Sequence, residues 1–123
     1  MSRTIERLSL AVPTGSRLPV AVIVPALNAA ARLGATLDAV AGSVDAVIVA
    51  DGGSADATAS VAERHGVRVV TAPRGRGPQL RAGAELARDQ AWLLFLHADT
   101  VLQPGWEDAV RAHIADAAGK AGY

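Results

Sequence analysis

His97 and Asp99 stand at the end of WLLFLHADT, Trp92 to Thr100, where an apolar run turns polar within a few residues. A carboxylate there offers a hard oxygen to Mg2+ or Mn2+, an ion usually held by one or two carboxylates plus substrate phosphates. An imidazole beside it would bind the same ion or support it from a second shell of contacts. A cation so placed would neutralise charge gathering on a departing diphosphate. The competing reading is that both residues only finish a loop. Asp51 closes another apolar run, AVIVA, and precedes Gly52, Gly53 and Ser54. Its carboxylate would accept from a base N–H or a ribose hydroxyl, or else cap its own turn. In Pro73-Arg74-Gly75-Arg76-Gly77-Pro78, followed by Gln79 and Arg81, glycines permit close backbone approach to a ligand. The guanidinium forks suit phosphate oxygens or a base carbonyl. A solvated connection would have the same composition. Asp56, at a helix start, reads as a capping or turn residue rather than a ligand contact.

Four strands are predicted to carry these residues: Val20 to Val24, Ala46 to Ala50, Val67 to Thr71 and Trp92 to Leu96. The first should stop at Pro25, which cannot donate to a central ladder. The last is uncharged on both alternating faces, as a strand covered on both sides would be. Helices are predicted over Ala29 to Ala41, with Asn28 as N-cap and Leu33, Leu37 and Val40 at helical spacing, and over Ala55 to His65, Gln79 to Gln90 and Trp106 to Ala117. The alternation implies an α/β fold, a doubly wound and mostly parallel sheet with helices on both faces, because parallel neighbours need crossover connections. Pro25 to Asn28, Asp51, the Arg74 to Gly77 loop, and His97 with Asp99 would then share the sheet edge where ligands bind.

The chain has 123 residues, half of them hydrophobic, enough for one domain with a modest core. Basic and acidic residues balance at 12 each, which argues against a nucleic-acid surface. The absence of cysteine excludes disulfides and thiolate chemistry and leaves oxygen and imidazole as metal donors. GRGPQL lacks the third glycine of a dinucleotide fingerprint, and no Gly-Lys-Ser/Thr is present, so a P-loop is excluded. Residues 1–18 read as a flexible leader whose LSLAV is too short for a signal-peptide core. Leu18 to Ala31, the longest uncharged stretch, falls short of the roughly 20 residues that span a bilayer. A cytoplasmic protein is the default expectation, with peripheral membrane contact left open.

The order VIVPALN, VIVADGGSADAT, RGRGPQLRAGAELA and WLLFLHADTVLQPGW resembles the nucleotide-sugar half of family 2 glycosyltransferases, which have the GT-A fold, a Rossmann-like architecture. More narrowly, GRGPQ and FLHADT resemble the radical-SAM/selenodomain-associated branch. The resemblance covers about Val20 to Trp106. It implies that Pro25, Leu27, Asn28 and Asp51 hold the base and ribose of a UDP- or GDP-linked sugar, with Gly75, Arg76, Gly77 and Gln79 near the base or diphosphate. Asp99 matches the last Asp of the family's Asp-x-Asp motif and implies Mg2+ or Mn2+ there. His97 stands at that motif's first position, as a second candidate ligand. Two further departures are Gly52, where the family usually has Asp, and Ala29, where a Glu often follows the Asn. The general base of inverting members would lie beyond Tyr123, which makes residues 19–123 an incomplete, apparently truncated domain with a sheet edge free for self-association. Glu107 and Asp108 offer no assignable base. Alternatives are a nucleotide-binding module without catalysis and a nucleotidyltransferase, the latter disfavoured because PALNAAARLG is not a glycine-rich basic loop.

Overall fold

β1 (Leu18–Ala26), β2 (Val44–Asp51), β3 (Arg68–Thr71) and β4 (Trp92–Phe95) alternate with α1 (Ala30–Val40), α2 (Thr58–Arg64), α3 (Arg76–Leu86) and α4 (Trp106–Gly119). They belong to a computed structural model that describes residues 17–119. The strands pair in parallel in the order β3-β2-β1-β4, so the described sheet is wholly rather than mostly parallel. The α/β, doubly wound class is as predicted.

β1 has a partner on each side, and Leu18, Val20, Ala21, Val22, Ile23 and Val24 are all buried. Burial on both faces is why it reads as an unbroken apolar run. Its even-numbered residues pack with Val47 and Val49 against Leu33, Leu37 and Val40 of α1, Val61 and Ala62 of α2 and Ile114 of α4. Ala21 and Ile23 point the other way, to Ile48 and, beside α3, to Leu80 and Ala87. Helices therefore cover both faces. α3 sits close on the sheet because residue 83 has no side chain: a Cβ on Gly83 would lie 2.4 Å from Ile23 Cγ2.

Several boundaries differ from expectation. β1 runs through Pro25 to Ala26. Ile23 O accepts from Leu96 N on the β4 side and Ala26 O accepts from Gly52 N on the β2 side. Alternate residues of a parallel strand face alternate neighbours, so the Pro25 nitrogen turns toward β4 beyond its last paired residue, Phe95. The missing donor costs nothing there. α3 begins at Arg76, three residues early, because a proline in the first turn lacks only an N–H that has no helical partner anyway. α2 begins at Thr58, the residues before it being engaged by the neighbouring loop. β4 is an edge strand, not one covered on both sides: Trp92 and Leu94 pack inward, whereas Leu93 is 38% and Phe95 48% exposed. Of the predicted leader, residues 1–16 lie outside the described residues, and Leu18 is a buried strand residue. α4 continues to Gly119, two residues past its predicted end at Ala117, and residues 120–123 lie outside the described residues. No helix among the described residues is long and apolar enough to cross a membrane.

Candidate functional site

The strand order reverses at β1: β2 and β3 lie to one side and β4 to the other. Loops leaving β1 and β4 must therefore part, and the crevice between them is where open α/β sheets bind ligands. Here it is a cleft of about 300 Å3 lined by Pro25, Leu27, Ala29, Arg32, His97 and Asp99, among others. A larger hollow of about 370 Å3 lies beside Arg17, Asp45, His65 and Arg68, at the opposite strand ends and away from every predicted ligand residue. The switch-point cleft is the better candidate because it collects the chemistry.

His97 and Asp99 are both exposed on the cleft, and neither side chain has a hydrogen-bond partner among the described residues. No group of three or more His, Cys, Asp or Glu converges on a metal position among the described residues. One carboxylate with an adjacent imidazole fits a hard divalent ion only if substrate phosphates complete its coordination, the usual magnesium arrangement. Arg32 lines the same cleft, and Arg76 lines a narrow extension of it with Pro25, Phe95 and His97. Neither guanidinium is paired among the described residues, so both are available to an anion. Behind the loop, the buried Thr36 hydroxyl of α1 reaches Ala98 O at 2.9 Å and Thr100 O at 3.1 Å.

Asn28 is not the N-cap of α1. It adopts a left-handed conformation, φ 52°, and its side-chain oxygen accepts from Ala55 N at 2.8 Å, across to the loop after β2. Asparagine tolerates that backbone region better than most residues. Three successive N–H groups at the start of α1 are satisfied by the same loop. Asn28 N donates to Ser54 Oγ at 2.8 Å, Ala29 N to Thr58 Oγ1 at 2.8 Å and Ala30 N to Asp56 Oδ2 at 3.2 Å. Each hydroxyl then donates onward, Ser54 to Asp51 and Thr58 to Asp56. Orphan donors of one helix are thus capped by a different segment of chain. Asp56 also accepts from Thr58 N at 3.0 Å, which makes it a turn residue ahead of α2, whose N-cap position is Ala57. The Thr58 hydroxyl, ahead of the N–H groups of Ala30 and Thr58, holds the Asp56 carboxyl below the ordinary value.

Asp51 is buried at the end of β2, its carboxylate bonded to the N–H and hydroxyl of Ser54. Beside it, Gln79 is only 5% exposed, and its amide ties three segments together. Nε2 donates to Ala26 O at 3.0 Å and Ala50 O at 2.9 Å, and Oε1 accepts from Gly75 N at 3.1 Å. Gln79 therefore clamps the ends of β1 and β2 to the loop before α3. Gly52 makes room for it: a Cβ there would lie 2.8 Å from the Gln79 amide carbon. Gly75 takes φ 136°, open to glycine, and Gly77 is exposed in the first turn of α3.

Pro25, Leu27, His97 and Asp99 share one cleft, Asn28 joins Asp51 through Ser54, and Gly75 joins the strand ends through Gln79. Glu107 does not join them. It accepts from Ser43 at 3.2 Å, beside the start of β2, and Asp108 pairs with Arg111 at 3.0 Å. Sequence reasoning missed Arg32, Thr36, Ser54 and Thr58. Only Thr36 left a legible trace, as the one polar member of the Leu33, Thr36, Leu37, Val40 stripe.

Comparison with known proteins bears on the family and the fold. Uncharacterised glycosyltransferases of Mycobacterium bovis and Mycobacterium tuberculosis are 39% identical over 87 residues, covering 70% of this chain and 39% of theirs. The chain thus spans about 39% of the length of the curated relatives it matches. The fold is GT-A-like. Glucosyl-3-phosphoglycerate synthase from M. tuberculosis, solved with Mn2+, UDP and glucosyl-3-phosphoglycerate, superposes with a TM-score of 0.59 at 27% identity, over 71% of this chain and 35% of its own. Its complex with Mn2+, UDP-glucose and phosphoglyceric acid gives the same score and identity over 71% and 34%. The sequence profile of Glycosyl transferase family 2 matches residues 21–119, so this chain belongs to that family.

Proposed function

We propose that the switch-point cleft binds a nucleotide diphosphate sugar and that residues 19–123 are the donor-binding part of a glycosyltransferase. The observation that carries this is the convergence of Pro25, Leu27, Arg32, His97 and Asp99 where β1 and β4 part. The base and ribose lie toward Pro25 to Asn28 and Asp51, and the diphosphate between Arg32, Arg76 and Asp99. Gly75 and Gly77 let the backbone approach the ligand, and Gln79 fixes their loop rather than touching the nucleotide. Asp99 holds the divalent ion, with His97 as second donor; when bound, Mn2+ or Mg2+ neutralises charge on the diphosphate. The mycobacterial synthase was solved with Mn2+ and UDP, which favours those as the first probes. In the complete enzyme an acceptor hydroxyl loses its proton to a carboxylate beyond Tyr123. The acceptor oxygen then bonds to the anomeric carbon as the bond to the diphosphate breaks, inverting that centre. Kinship with the radical-SAM/selenodomain-associated branch rests on GRGPQ and FLHADT. The fit of the Gln79 amide over Gly52 gives the last residue of GRGPQ and that departure from the family pattern a reason to occur together.

Calorimetry with UDP and GDP, with and without Mn2+, tests the reading. Binding that requires Mn2+ and is lost in Asp99→Ala is expected; no binding of either nucleotide would sink it. A second reading, nucleotide binding without transfer by this 123-residue chain, is favoured by one observation. Asp99 is the only carboxylate lining the cleft among the described residues, and it cannot be both metal ligand and general base. Sugar transfer by the chain itself would refute that reading.

A further inference from the structure

We infer that Thr36, in the interior of α1, is the positioning residue for Asp99; this rests on the metal role proposed for that carboxylate. Thr36 is 2% exposed and occupies the helix stripe that Leu33, Leu37 and Val40 bury against the sheet. Packing alone would be met there by valine, which has the same branching. A hydroxyl in such a place is costly unless it finds acceptors, and it finds two. Its single proton is shared between Ala98 O at 2.9 Å and Thr100 O at 3.1 Å, the carbonyls of the residues on either side of Asp99.

The turn is closed by a bond from Thr100 N to His97 O at 3.0 Å, but no side chain among the described residues holds Asp99 itself. Among the described residues, the Thr36 hydroxyl makes the only hydrogen bonds that tie the loop leaving the edge strand β4 to α1. With it, the backbone around Asp99 is fixed to the helix that also carries Arg32, one turn earlier, into the same cleft. α1 thereby sets the separation between a cation and a carboxylate that must both address one diphosphate. Groups behind a ligating residue commonly govern metal affinity as strongly as this.

Thr36→Val removes the hydroxyl at nearly constant volume, and Thr36→Ser keeps the hydroxyl while losing a methyl. In the full 123-residue chain, two quantities are read. The first is amide hydrogen exchange at Thr100 relative to β2. The second is Mn2+ affinity in the presence of UDP, followed by electron paramagnetic resonance of the free ion. Thr36→Val is expected to speed Thr100 exchange about fivefold, as the loss of one ordinary hydrogen bond would. It should also weaken Mn2+ binding about tenfold. Thr36→Ser should stay within about twofold of wild type in both, since its donor is retained. Val40→Ala, a truncation on the same stripe, should lower the melting temperature and change neither ratio. If Thr36→Val does not fold, Thr36→Cys, with a weaker donor, is measured in its place and should move both quantities the same way. Unchanged exchange, or unchanged Mn2+ affinity in a wild type that binds the ion, overturns the inference. A wild type that takes up no Mn2+ with UDP defeats the metal reading of Asp99 instead, and the exchange comparison still decides whether Thr36 holds the loop.

Discussion

Ser54 Oγ lies 2.5 Å from Asp51 Oδ1, and Ser54 N reaches the same oxygen at 3.2 Å, so one edge of the carboxylate ending β2 is taken by its own turn. The turn role does not exclude the proposed ligand role: Oδ1 braces the turn, whereas Oδ2 has only the longer 3.4 Å contact to Ser54 N. Asp51→Asn should cost about 2 kcal/mol in urea denaturation, as loss of bonds to a charged acceptor does. It should weaken UDP binding as well. Ser54→Ala should cost about 1 kcal/mol and leave UDP affinity within about twofold. If both variants change affinity equally, Asp51 acts only through its turn.

Gly52 and Gln79 should be energetically coupled. A side chain at residue 52 displaces the Gln79 amide from Ala26 O, Ala50 O and Gly75 N. Gly52→Ala is expected to cost about 2–3 kcal/mol, two or three hydrogen bonds of ordinary strength. In Gln79→Ala, where those bonds are already gone, the added cost of Gly52→Ala should fall below about 1 kcal/mol. Additive losses in chemical denaturation would show that the two residues are independent.

Gly83→Ala should destabilise although alanine is the better helix former. Its methyl would meet Ile23 Cγ2 at 2.4 Å, where α3 rests on a β1 residue with no accessible surface. Overpacking of this kind costs about 1–3 kcal/mol, against about 1 kcal/mol gained in propensity. Adding Ile23→Val should recover part of the loss; a neutral or raised melting temperature for Gly83→Ala would contradict the packing account.

Asp56 predicts an acid-side pH dependence. Its folded carboxyl is depressed, chiefly by the Thr58 hydroxyl, so it adds stability above its ordinary value of 3.8. That contribution disappears as pH falls below 3.8 through the folded value. The stability difference between wild type and Asp56→Asn should stay level from neutral pH down to about pH 5 and then shrink. A difference that persists undiminished to the lowest pH at which both fold would assign the effect to hydrogen-bond geometry rather than charge.

The β4 edge should make this chain associate. Among the described residues β4 is paired on one side only, and Leu93 and Phe95 expose apolar surface beside it. Exposed apolar edges template pairing with further chains. Sedimentation velocity should show concentration-dependent association that Leu93→Lys and Phe95→Lys reduce. A monomeric wild type with one cooperative unfolding transition would count against this.

The spacing of apolar residues was sufficient to read the four strands and four helices of the described residues, because burial on a sheet or a helix face imposes a period on the order of residues. The placing of His97 and Asp99 was legible for the same reason: a polar pair ending an apolar strand falls at the sheet edge where the cleft opens. Other features depended on partners distant in sequence. Asn28 looked like a local cap, yet its carbonyl serves Ala55 and the caps of α1 come from Thr58 and Asp56. Gln79 looked like a ligand contact, yet its amide is held by the backbone of two strands and a loop. Thr36 could be seen as an oddity in an apolar stripe, but its acceptors lie more than sixty positions away. Local periodicity thus determined the elements and the edge on which chemistry would gather. Only the strand order β3-β2-β1-β4 decided that the crevice opens between β1 and β4, because which strands become neighbours is a matter of long-range packing that no local period encodes.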